Sequence, residues 1–328
     1  MKKSVLSLVL VSIFILSAGM FAIQAEAAEH QLRFGMAVGQ NDPMYKGAER
    51  FAENVEERTN GDVVVEIYPD GMLGSTSDMQ EQAKMGANVS SLTDPGRLSD
   101  IVKDVGILNM AYIAKNYEEA RKLVLSDWFK SMQDQLQEKG YVVLSMNWYQ
   151  GARHFILNEK VEKPEDLNGL RIRTPGAAPW SKSIAALGAD PTALDWSEVY
   201  TGLQQGVIDG AEAQHPATYG SSLYEVADYI IKTGHFQLMT GPVVGAKWFN
   251  SLPEEYQKIV KEEAVKAGDY ASEIVLDKVE SLEKDMEEEG MEIVEVDKTP
   301  FQEASEEAYK ELDYNELRKK LHSEVLNR

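Results

Sequence analysis

The chain has 328 residues, 43% hydrophobic and 27% charged, with a formal net charge of −21 and no cysteine. That length exceeds one compact core and favours two domains, the acidity argues against nucleic-acid or anionic-membrane partners, and disulfides and cysteine nucleophiles are excluded. A negatively charged ligand would be repelled by the global field, so a site for one must carry its own positive charge.

Lys2 and Lys3 precede an apolar run from Val5 to Ile23, and Ala25-Glu26-Ala27 offers small residues spaced for cleavage. Residues 1–27 therefore read as a secretory signal peptide, which places the mature chain in the periplasm; an uncleaved anchor is the alternative, since the run is nearly long enough to span a bilayer. His30 to Met36 alternates as an opening strand, and Pro43 starts a helix with Met44, Ala48, Phe51, Ala52 and Val55 on one face. Val63 to Ile67 is a second strand and Ser77 to Met85 a short helix. Val89 to Leu92 is a strand ending at the turn Thr93-Asp94-Pro95-Gly96-Arg97, and helical patterns follow to Gln137.

Tyr141 to Trp148 reads as one buried strand from its apolar run. Phe155 to Asn158, Leu170 to Arg173 and Val207 to Glu212 are further strands, with helices near Trp180 to Leu187 and Ser197 to Gln205. From Pro253 the pattern is helical to about Glu289, long enough to brace two lobes. Met291 to Val296 is a last strand, and two helices finish the chain. The alternation predicts an α/β fold of two lobes: 28–150 with about 237–275 in lobe I, and 151–236 with about 276–328 in lobe II.

No phosphate-binding loop, dinucleotide fingerprint, zinc-protease helix or nucleophile elbow is present, and the five histidines show no metal-ligand spacing, so neither cofactor nor metal is expected. The arginines say more. The alternation of Gly169-Leu170-Arg171-Ile172-Arg173 stops at Thr174-Pro175, because proline cannot donate to a ladder and holds its predecessor extended. Arg173 thus stands at a strand end, where its rigid fork can take a carboxylate through two parallel bonds; the alternative is a surface pair with Glu165 or Asp166. Arg153, in Gly151-Ala152-Arg153-His154-Phe155, is a second candidate. Trp148 and Trp196 flank these arginines as candidate ligand walls, with core packing the alternative for each.

The order of Thr59-Asn60-Gly61, Leu73-Gly74, the Arg153 motif, Pro164-Glu165-Asp166-Leu167-Asn168-Gly169-Leu170, Arg173, Leu187-Gly188-Ala189-Asp190-Pro191-Thr192, Ser197-Glu198-Val199-Tyr200 and Asp209-Gly210 resembles the DctP-type solute-binding proteins of TRAP transporters, the tripartite ATP-independent periplasmic systems. The resemblance covers nearly the whole mature chain. It implies a periplasmic binding protein fold whose two lobes, crossed by a long helix, close on an organic anion. By it Arg173 pairs with the ligand carboxylate, Arg153 assists and Trp196 packs on the ligand. It also implies ligand contacts for Asp94 and Arg97, and sets Asn41 and Glu212 at comparable strand ends. The implied partners are a small carboxylate and the small and large membrane subunits, the binding protein itself being a monomer. Two arginines suit a dicarboxylate; Asp94, Glu212 and two tryptophans suit a sugar acid, toward which the reading leans. The rival function is a secreted hydrolase of acidic sugars with Asp94 and Glu212 as its carboxylate pair.

Overall fold

The computed structural model describes residues 29–328, so the signal peptide expected at 1–27 lies outside the described residues. The chain opens with strands β1 (His30–Gly35), β2 (Val63–Tyr68) and β3 (Val89–Thr93), joined by helices Pro43–Arg58 and Thr76–Met85. The first helix starts where the Asp42 carboxylate accepts the Met44 N–H at 2.8 Å, with Pro43 supplying the first-turn φ. The second starts in a capping box between Ser75 and Asp78. Each helix returns the chain for parallel pairing, β1 lying between β2 and β3.

Seven further strands follow: β4 (Tyr141–Val143), β5 (Trp148–Leu157), β6 (Arg171–Thr174), β7 (Asp190–Ala193), β8 (Gly210–Gln214), β9 (Tyr229–Gly245) and β10 (Glu292–Val294). The path runs β2-β1-β3-β9-β5-β8-β6-β7, with β4 and β10 also on β9. β9 meets β3 and β4 through its C-terminal end, from Gly241 to Gly245, and β5 and β10 through the rest. β5 and β9 therefore join the two halves of the sheet. Their antiparallel register shifts between Tyr149 and Gly151 and again between Arg153 and Phe155; Gly151 sits at the first shift with φ 124°, a conformation side-chain residues rarely adopt.

One buried cluster gathers Leu32, Phe34, Phe51, Val55 and Val244 around the β1–β3 half. Two more cover opposite faces of the other half, Phe155, Leu157 and Ile172 on one and Ile156, Ala211 and Ala213 on the other, as inner strands buried on both sides require. The helix Glu254–Glu288 has 35 residues, about 50 Å at 1.5 Å per residue. It buries Val260, Ala264, Ala267 and Ala271 in the first cluster and Met286 in the third, so it spans both halves. Among the described residues no helix is long and apolar enough to cross a membrane.

Three expectations need correction. Tyr141 to Trp148 is not one strand, because at Asn147 the chain leaves the ladder for the long helix: the Asn147 carbonyl accepts from Ser272 Oγ at 3.1 Å, and its side-chain amide donates to Val265 O at 2.8 Å and Asp269 Oδ1 at 2.9 Å. The strand expected from Val207 begins at Gly210, since the N–H groups of Val207 and Ile208 still bond Gly202 O of the preceding helix. Trp148 is no ligand wall: it is fully buried in the first cluster, its indole N–H donating to Ser145 Oγ and Ala264 O at 2.9 Å each. A Cβ on Gly268 would come within 2.5 Å of its ring, so glycine lets the long helix close over this indole.

Candidate ligand-binding cleft

A cavity opens beyond the carboxyl ends of β3, β6 and β8, the position where open α/β sheets receive ligands. The β1–β3 half contributes Val38, Asp94 and Arg97; the β6–β8 half contributes Arg173, Trp180, Trp196 and Gln214; the joining strands contribute Gln150, Arg153 and Thr240.

Arg173 on β6 is 2% exposed. Its Nε donates to Leu194 O at 2.8 Å, and the guanidinium carbon lies 5.3 Å from the centroid of the Trp196 ring. Among the described residues no carboxylate lies within 4.0 Å of it, and its two terminal nitrogens have no protein partner. Burial pushes its guanidinium down to about 9, with Glu212 opposing and Arg153 and Arg97 adding to the effect; it stays charged at neutral pH. The surface pairing with Glu165 or Asp166 considered for it is not formed among the described residues; the surface arginine of β6 is Arg171, which meets Asp209 at 2.8 Å. A desolvated cation without a counterion costs several kcal/mol, and a bidentate carboxylate is the partner its free edge fits.

Arg153 on β5 is almost equally buried and differently surrounded. Its Nε pairs with Glu212 Oε2, one terminal nitrogen donates to Gln214 Oε1 at 2.6 Å and the other to the Glu212 carbonyl. The guanidinium also stacks 5.2 Å from the Trp180 ring centroid. The antiparallel register sets Arg153 opposite Gln214 and Phe155 opposite Glu212, so Glu212 and Gln214 present themselves to Arg153 on one face. Glu212, expected to meet ligand hydroxyls, is fully buried behind Arg153 and does not line the cavity. Burial pushes its carboxyl up, against the pull of Arg153.

From Arg153 a chain of fixed polarity crosses the cleft floor. Gln214 donates to Gln150 Oε1 at 2.8 Å, Gln150 to Thr240 Oγ1 at 3.2 Å, and Thr240 to Trp148 O at 2.9 Å. Each donation fixes which end of an amide faces which neighbour. Sequence reasoning missed Gln150, Gln214, Thr240 and Trp180; the available signal was a polar residue three positions before Arg153 for Gln150 and two positions after Glu212 for Gln214.

On the other wall, Asp94 follows β3 and accepts the Trp180 indole N–H at 2.9 Å, the Arg97 N–H at 3.0 Å and one Arg97 guanidinium nitrogen. A Cβ on Gly96 would collide with the Trp180 indole, so the turn needs glycine here. Both Asp94 oxygens are engaged, and Arg97 remains about a quarter exposed toward the cavity. Asn41 is exposed and stands outside this space, in an adjoining cavity of about 240 Å³ with Ala217 and Ser221. Three arginines thus meet two carboxylates, and only Arg173 has no carboxylate of its own. The arrangement can hold an anion; among the described residues no His, Asp and Glu cluster could hold a metal ion.

The family model for bacterial extracellular solute-binding proteins, family 7, matches residues 34–315. The chain is 27% identical over 284 residues to the sialic acid-binding periplasmic protein SiaP of Vibrio cholerae, covering 87% of this chain and 88% of that protein. A TRAP periplasmic solute-binding protein from Escherichia fergusonii, in an apo open structure, is 39% identical with a TM-score of 0.79, covering 90% of this chain and 99% of that one. Another, from Ochrobacterium anthropi with bound L-fuconate, is 31% identical with a TM-score of 0.86 over the same shares of the two chains. With the two-part α/β sheet, the long bracing helix and an arginine-lined cleft between the halves, the chain belongs to the DctP family of extracellular solute-binding proteins.

Proposed function

We propose that this protein captures a small hydroxylated monocarboxylate, an aldonate or uronate, by lobe closure and delivers it to the membrane subunits of a TRAP transporter. The observation that carries the reading is Arg173, a buried guanidinium whose free edge faces the cleft with no counterion among the described residues. Its neighbours support a single carboxylate over two: Arg153 is occupied by Glu212 and Arg97 by Asp94, so a second carboxylate would have to displace an existing pair. The rest of the site offers amide and hydroxyl groups for ligand hydroxyls, from Gln150, Gln214 and Thr240, and the Trp196 ring as a flat wall for carbon. The L-fuconate held by the relative from Ochrobacterium anthropi is of this chemical class.

Lobe I comprises 28–150 with about 237–275 and lobe II comprises 151–236 with about 276–328, β5 and β9 acting as the hinge. A ligand touching both lobes binds the closed state better and shifts the equilibrium toward it; one without that preference would close nothing. The protein acts in the periplasm as a monomer after its leader is removed, and binds without turnover. A thermal-shift screen of aldonates, uronates and C4-dicarboxylates is the test, since a ligand that binds only the folded chain raises its melting temperature. The largest shifts are expected from sugar acids recovered chemically unchanged. A larger shift from succinate or malate overturns the monocarboxylate assignment, and hydrolysis of uronate oligosaccharides overturns the binding role.

A further inference from the structure

Side chains alternate along β5, so while Arg153 faces the cleft, Ala152 and His154 face the opposite side of the joining strands. There a second cavity of about 800 Å³ lies among β5, β9, the long helix and the C-terminal helices. Its lining carries five lysines and arginines against two glutamates, the reverse of the balance in the whole chain, 33 basic to 54 acidic. Three of those cations are paired, Arg318 with Glu306, Lys319 with Glu316 and Arg328 with Glu119, which leaves Lys115 and Lys298 as the unpaired charges of the lining among the described residues.

The floor is a built site. His154 is 5% exposed, and its Nδ1 accepts the Gly234 N–H at 3.0 Å, which leaves the proton on Nε2. That nitrogen has no partner among the described residues, and the ring lines the cavity. Burial and the stacked His215 ring hold the imidazole neutral, so it stays a single-proton donor. The Lys298 ammonium stands at the same spot: a Cβ on Gly234 would lie 3.5 Å from Lys298 Nζ and 3.8 Å from His154 Cε1. Among the described residues Lys298 has no carboxylate within 4.0 Å. Tyr112, Tyr117 and Tyr149 supply flat walls, the last two rings 5.0 Å apart.

From this geometry we infer that the rear of the hinge is a second binding site, for a flat organic carboxylate held by His154 Nε2–H and Lys298 against the tyrosine walls. Tyr117 and Tyr149 pack with the β1–β3 half and Tyr112 with the other, so an occupant touches both sides of the hinge. It is therefore coupled to the lobe angle, and it changes the affinity of the cleft ligand by the factor by which that ligand changes its own.

The test is calorimetric titration of the chain with 4-hydroxybenzoate in the Arg173→Ala background, which disables the cleft clamp and so separates this site from the proposed cleft function. One site per chain is expected, and adding the exposed substitution Lys298→Glu should weaken it about tenfold or more, equivalent to ~1.4 kcal/mol. Acetate, which lacks the flat body, should compete poorly. Binding in the wild type that disappears in Arg173→Ala assigns the probe to the cleft and overturns the inference. So does equal affinity with and without Lys298→Glu, or no saturation by about 10 mM probe, near −3 kcal/mol of binding.

Discussion

Arg173 and Arg153 stand two strands apart in one cleft, 2% and 4% exposed, and their surroundings are opposite. Arg153 spends its donors on Glu212 and Gln214 and is part of the scaffold. Arg173 spends only Nε, on a carbonyl, and keeps its terminal nitrogens for the cleft. Burial of a charge is therefore not what marks a binding residue. What marks it is burial with the partner left out, an arrangement that costs stability in the empty protein and is offset when the ligand arrives.

The largest effect should fall on the scaffold arginine's partner. Glu212→Ala leaves the Arg153 charge in a dry site and is expected to cost about 3–5 kcal/mol of folding stability, read from urea denaturation. Replacing both members, Arg153→Met with Glu212→Leu, should recover most of it. A loss below about 1 kcal/mol for the single variant would break the contrast by showing that Arg153 needs no counterion. Arg173→Ala is the mirror case. Calorimetry should show cleft affinity falling by about 2–5 kcal/mol, roughly 30-fold to several thousand-fold, while the empty protein, relieved of an unpaired buried charge, should gain about 1 kcal/mol or more of stability. Near-unchanged affinity would remove Arg173 from the clamp role.

The same contrast explains what the sequence made legible. Arg173 was readable because Thr174-Pro175 stops β6 in a way any strand shows locally, and the long helix because its apolar stripe continues for ten turns. The role of Glu212 was not, since it depends on the β5–β8 register that brings residues 59 apart in sequence into contact. β9 went unassigned for a related reason. Gly234, Gly241 and Pro242 punctuate its sequence like turn residues, yet Gly241 serves close packing, where a Cβ would collide with the Ser145 carbonyl, and the strand's length is set by four different partner strands. Trp148 was misread because an apolar run bounds a strand without saying which of its large residues faces the cleft. Local punctuation carries elements and their ends; the pairing that turns a charge into scaffold or clamp is long-range.

The Trp196 ring sharpens the ligand side. It sits over Arg173 and anchors its indole N–H on Ser221 Oγ at 3.1 Å. Trp196→Ala should weaken cleft binding by about 1–2 kcal/mol, roughly five- to thirtyfold, through lost cation–π support and lost wall area, whereas Trp196→Phe should retain most of the affinity. An alanine variant that binds as the parent would leave Arg173 as the sole determinant on that wall.

The smallest effect tests how far the scaffold side extends. His215 follows Gln214 directly, and its Nε2 lies 2.7 Å from Glu283 Oε1 on the long helix, with the Lys232 ammonium 3.0 Å from the same oxygen. The His215 hydrogen bond, with Lys232 behind it, holds the Glu283 carboxyl down to about 2, against an ordinary value of 4.5. A carboxyl depressed on folding contributes stability that is complete above its unfolded value and is lost as pH falls through the folded one. Glu283→Gln should therefore cost about 1 kcal/mol at pH 7, a figure discounted for solvent screening of a partly exposed pair, and the gap should shrink as pH drops from 4.5 toward 2. Denaturation midpoints of the two proteins at pH 7 and pH 3 measure it. A gap that does not narrow would mean that the long helix is fastened beside the amide chain by packing and shape, with charge confined to the Arg153–Glu212 pair.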